Sequence, residues 1–134
     1  MRVQTVKGFD EALNDPVRRR IAALRPGYYT RIGTAIRHTT ECLRHRPNRN
    51  RLMLVLTDGK PNDVDHYEGR YGVEDTRRAI REARRQGMTV YGITIDRKAE
   101  DYIPYLFGRH GYTMVPDPAD LPRALPRIYR QLLT

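Results

Sequence analysis

The sequence predicts an α/β fold of three layers, with a mostly parallel sheet flanked by helices. Three observations carry this. Short apolar runs alternate with amphipathic helical patterns along the chain. The most apolar run, Leu52 to Leu56, is continuous rather than alternating, as in a parallel-sheet strand covered on both faces. That run stops abruptly at Thr57-Asp58-Gly59, a polar turn of the kind that follows a strand in such folds. A length of 134 residues with no repeat or linker implies one domain covering 1–134.

The elements follow in order. Arg2 to Val6 alternates like a short strand. Pro16 to Leu24 reads as a helix with Asp15 as N-cap and Pro16 in the first helical position, ended by Pro26-Gly27. Thr30 to Leu43 is the next helix, with Ile32, Ala35, Ile36, Thr39 and Leu43 on one stripe. After the strand at Leu52, the segment Lys60 to Gly72 reads as a long polar loop. Glu74 to Gln86 is a helix with Thr76, Ala79, Ile80 and Ala83 facing the core and Gly87 as its cap. Thr89 to Ile95 is a strand ending at Asp96. Asp101 to Phe107 is a short helix closed by Gly108, and Tyr112 to Val115 a last strand. The terminal helix begins at Asp120, with Leu121, Leu125, Ile128 and Leu132 as its core stripe. Pro126 inside it predicts a kink or a delayed start.

Composition removes several chemistries. The chain contains no serine, which excludes a serine-hydrolase triad and a P-loop ending in Lys-Ser. Its one cysteine excludes an internal disulfide and a cysteine-based zinc site. Cys42 reads as a small buried apolar residue in a reducing cytoplasm. No apolar run approaches the length of a membrane span, and the first residues lack a signal core. The net charge of +9 rests on arginine, since Lys7, Lys60 and Lys98 are the only lysines. An arginine excess serves docking on an acidic partner, nucleic-acid binding, or solvated helix faces.

Ligands of open α/β sheets bind beyond the carboxyl ends of the strands. Asp58 sits at such an end. It either projects into the crevice or caps the following turn. Thr30 starts a helix, where its hydroxyl either caps backbone amides or faces an ion. Hydroxyl, carboxylate and water oxygens suit magnesium.

The blocks Pro26-Gly27-Tyr28-Tyr29-Thr30-Arg31-Ile32-Gly33 and Leu54-Val55-Leu56-Thr57-Asp58-Gly59-Lys60-Pro61-Asn62-Asp63 resemble the second half of a von Willebrand factor A (VWA) domain. His66-Tyr67-Glu68-Gly69-Arg70-Tyr71-Gly72 and Glu74-Asp75-Thr76 resemble the subgroup that contains NorD, linked to nitric oxide reductase activation, and CbbO, linked to Rubisco activation. The resemblance runs over essentially the whole chain. It implies a metal-ion-dependent adhesion site built from an Asp-x-Ser-x-Ser motif, a Thr resembled by Thr30, and a late Asp resembled by Asp58. The first motif is missing here, and by the family pattern the chain starts near the third strand. The expectation is therefore an incomplete VWA-type domain, lacking the first strands, that binds Mg2+ weakly or not at all in isolation. Its open sheet edge invites pairing with another chain. The resemblance also implies a non-enzymatic adaptor whose partners are a MoxR-type AAA+ ATPase and a target enzyme, nitric oxide reductase or Rubisco.

Other patterns carry less. His38, His45, His66 and His110 lack ligand spacing for zinc. Asp63, Asp65 and Glu68 lack the spacing and central glycine of a calcium loop. The same loop offers Asp63, Tyr67, Arg70 and Tyr71 as partner-binding residues, Tyr and Arg being common interface anchors. Alternatively the two tyrosines fold the loop onto the body. Arg77, Arg78, Arg81, Arg84 and Arg85 make a basic helix that suggests nucleic-acid binding as the alternative function, but no DNA-reading motif accompanies it. No catalytic residue is assigned, because no activated nucleophile or paired general acid is evident.

Overall fold

A computed structural model describes residues 3–25, 31–57, 66–95 and 102–133, with residues 66–70 as backbone only. Three strands, β1 (Leu52–Thr57), β2 (Thr89–Thr94) and β3 (Tyr112–Met114), form a parallel sheet in the order β1-β2-β3. Parallel neighbours require crossover connections. These contain the helices α3 (His66–Arg85) and α4 (Ile103–Phe107). Helices α1 (Asp15–Ala22) and α2 (Ile32–Arg44) precede the sheet, and α5 (Leu121–Leu133) follows it after a 3₁₀ turn at Pro118–Asp120.

The period-two alternation of the strands divides the core. Met53 and Val90 are buried with Ile36 and Leu43 of α2, Ala79, Ile80 and Ala83 of α3, and Leu106 and Phe107 of α4. Tyr91 and Ile93 face the other way, against Ala124 and Ile128 of α5, with Leu54 packed alongside. Helices therefore cover both faces, which is the expected three-layer α/β arrangement.

Close approach between layers depends on glycine at Gly92. A Cβ there would lie 2.6 Å from the Phe107 ring, so α4 reaches β2 only because none exists. Helix α3 ends in a Schellman motif. The amide of Gly87 donates to the Arg84 carbonyl and that of Met88 to the Ala83 carbonyl, with Gly87 at φ 86°. Gly108, at φ 85°, closes α4.

Several expectations are corrected. Residues 3–6 form no strand; no described strand pairs with them, and the segment is held instead by the Arg20 guanidinium donating to the Val6 carbonyl. The N-cap of α1 is Asn14, whose side chain accepts from the Val17 amide, so Asp15 and Pro16 lie in the first turn. On α2 the buried residues are Gly33, Ile36, Thr40 and Leu43, and Thr39 is only half-buried. Thr40 satisfies its hydroxyl by donating to the Ile36 carbonyl. The polar loop is shorter than expected, because α3 already begins at His66. The hydroxyl of Thr76 donates to the Gly72 carbonyl one turn back, inside the helix. Helix α5 runs through Pro126 rather than starting after it. Cys42 is exposed, with Sγ 3.7 Å from Nε2 of His38. The strand β1 is not covered on all sides. It lies at the sheet edge among the described residues, and Leu56 is 55% exposed.

Candidate functional site

The carboxyl rim of the sheet is level. Register pairs Thr57 with Thr94 and Thr94 with Met114, so the three strands end side by side. Beyond that rim is where the fold class places ligands. Thr30, Asp58 and Asp63 lie outside the described residues. Their described neighbours are Thr57, the last residue of β1, and Arg31, the N-cap residue of α2.

The start of α2 is clamped to α3. Gly33 abuts Asp75 so closely that a Cβ would overlap its carboxylate. Arg37, one turn on, donates to Asp75 at 2.8 Å and to Glu82 at 3.3 Å. The group is half-buried, so each ion pair resists solvent more than a fully exposed one. This joint was not singled out from sequence. Its only trace was two carboxylates seven residues apart, hence on one helix face, and a distant arginine. Beyond its other end, the loop from α2 to β1 is closed on itself, where Arg51 donates to the Arg46 carbonyl at 2.9 Å.

Of the partner-binding candidates, Tyr67, Arg70 and Tyr71 fall together on the opening turns of α3 rather than in a loop. Tyr71 does not fold onto the body, being 66% exposed. Glu74, one turn later, accepts from the Tyr105 hydroxyl. Arg77 lies with its guanidinium 4.0 Å from the Tyr105 ring centroid and donates to the same hydroxyl. Tyr105 remains 42% exposed.

The basic helix divides into two sets. Arg84, exposed as a residue, turns its part-buried guanidinium to the carbonyls of Val90 at 3.0 Å and Phe107 at 2.6 Å, and burial lowers its pKa. It also lines an open depression of about 430 Å³ with His110, Met88 and Leu132. Arg77 turns to Tyr105. Arg78, Arg81 and Arg85 stay exposed.

Among the described residues, no three His, Cys, Asp or Glu side chains gather to hold a metal ion. His38 sits beside Cys42, and His45 is 3.0 Å from Glu41. Thr30 and Asp58 are oxygen donors of the type a hard cation takes, and they would fill two of roughly six positions. No described helix is long and apolar enough to cross a membrane.

The von Willebrand factor type A domain family matches residues 3–120. The chain belongs to this family. Among relatives of this VWA chain, Protein NorD of Brucella melitensis is 58% identical over 132 residues, covering 98% of the chain and 21% of that protein. Protein NorD of Stutzerimonas stutzeri is 58% identical over 118 residues, 88% of the chain and 19% of that protein. The uncharacterized protein YojO of Bacillus subtilis is 29% identical over 134 residues, 96% of the chain and 20% of that protein. The VWA chain thus spans about a fifth of the length of the curated relatives it matches. No solved structure matches it.

Proposed function

We propose that the chain is the C-terminal part of a VWA module that works as a protein-binding adaptor and not as an enzyme. Its partners in this reading are a MoxR-type AAA+ ATPase and a target enzyme. The NorD name carried by relatives at 58% identity favours nitric oxide reductase over Rubisco as the target. Thr30 and Asp58 would hold Mg2+ together with an Asp-x-Ser-x-Ser motif that the chain itself, without serine, does not contain. The ion's remaining position would take a carboxylate from the partner, and the ATPase would transmit force through that contact.

The observation that supports this reading best is the parallel sheet whose strand β1 ends at Thr57, one residue before Asp58. The clamp of Gly33, Arg37 and Asp75 supports it further, by fixing the helix that starts just after Thr30.

Asp58→Ala in the full-length protein should abolish activation of the target while leaving the circular dichroism spectrum unchanged. Normal activation in that variant would remove the cation from the mechanism. The chain alone should bind magnesium weakly or not at all in a calorimetric titration, and micromolar affinity there would refute the incomplete shell.

A further inference from the structure

We infer that the outward face of α3 docks an acidic segment of a protein partner, gripped by Arg78, Arg81 and Arg85. The inward face of α3 is defined by buried Thr76, Ala79, Ile80 and Ala83. Positions 78, 81 and 85 follow at i, i+3 and i+7, so they align on the opposite face over about 10 Å of helix. All three are exposed.

Most other arginines of the described residues are engaged. Arg20 pairs with Glu11, Arg37 with Asp75 and Glu82, Arg44 with Glu41, and Arg46 with Asp10. Arg77 and Arg84 turn to Tyr105 and to backbone carbonyls. The acidic neighbours on α3 are committed elsewhere, Glu82 to Arg37 and Glu74 to Tyr105. Three aligned guanidinium groups are therefore left without a carboxylate among the described residues. A partner carboxylate meets them bidentately and without first breaking an internal pair.

Two observations select a protein over a nucleic acid. The stripe continues toward the helix start as Glu74 and exposed Tyr71, so the basic run stops after three arginines, a length that suits a short acidic segment more than a continuous phosphate track. Tyr71 and the stacked Arg77–Tyr105 pair flank the charges with the aromatic and arginine side chains that anchor protein interfaces. Helix α5 also exposes Arg123, Arg127 and Arg130, but Arg130 already has an interaction partner of its own, which leaves Arg123 and Arg127, one turn apart, as a control.

The surface goes beyond the cation site and uses neither Thr30 nor Asp58. The test titrates the chain into a fluorescein-labelled short peptide of Glu, Asp and Leu, followed by anisotropy, with labelled oligothymidylate as second probe. R78E/R81E/R85E should weaken peptide binding about tenfold or more. A triple reversal at Arg19, Arg123 and Arg127, equal in net charge, should change it less than about twofold. R78Q/R81Q/R85Q, with an unchanged melting curve, should fall between and excludes misfolding. Asp58→Ala should leave peptide binding intact. Equal losses in both reversal variants, no saturable peptide binding, tighter oligothymidylate binding with the same arginine dependence, or loss in Asp58→Ala would each overturn the assignment.

Discussion

At Gly92 a missing side chain sets how closely α4 lies on β2. The Phe107 ring, buried in the core, has nowhere to retreat from a Cβ 2.6 Å away. Gly92→Ala should therefore cost about 1–3 kcal/mol through overpacking, read as a lower urea midpoint at unchanged slope. Glu11 offers a pH-dependent counterpart at the surface. Hydrogen bonds from Arg20 and from the Gly8 amide pull its pKa down from 4.5 to about 2. A carboxylate with a depressed folded pKa contributes stability that is present above its unfolded value and lost as pH falls through the folded one. Protection of residues 3–13 in hydrogen exchange should thus decline as pH drops from about 4.5 toward 2, and Glu11→Gln should remove that step. Single residues were also where reading the sequence failed most. Cys42 was expected inside, but it lies one position short of buried Leu43 on α2, and a helix turns by about 100° per residue.

At the scale of elements, Arg84 joins three of them. Its guanidinium spans from α3 to the start of strand β2 at Val90 and to the end of α4 at Phe107. Arg84→Met keeps the apolar stem but strands two carbonyls, and should cost about 1–3 kcal/mol in urea unfolding. Element types were legible wherever a long pattern recurred. Helix α3 after Glu74, β2 and the Gly87 and Gly108 stops all stand as read. The first two turns of α3 were hidden by Gly69 and Gly72, each of which weakens a helix by about 1 kcal/mol. Packing overrides that local cost, since Val73 docks on the core and Thr76 ties back to Gly72. The strand expected at Arg2 to Val6 failed for the opposite reason. Alternation describes a willingness to pair, and no described partner pairs with it.

For the whole molecule, alternating strands and helices foretold three layers, and the parallel order β1-β2-β3 follows from crossovers too long for hairpins. The candidate cation site was legible only as positions, Asp58 after a strand and Thr30 before a helix. Nothing in local periodicity could have disclosed the Gly33–Asp75–Arg37 clamp, because its parts are separated by about forty residues and meet only through packing of α2 on α3. That clamp makes the two helices one rigid layer. Arg37→Ala should lower the urea midpoint, and it should loosen α2 in hydrogen exchange before it affects α5, which packs on the other sheet face.

Among the described residues no strand pairs with the outer rim of β1, and this has a practical corollary. A row of amides and carbonyls with Leu56 beside it is a template for intermolecular strand addition. Purified alone, the chain should self-associate as concentration rises, seen as growing mass in light scattering. Leu56→Lys should suppress that growth while leaving the fold intact, because a charged flank makes a poor seed for fibrils.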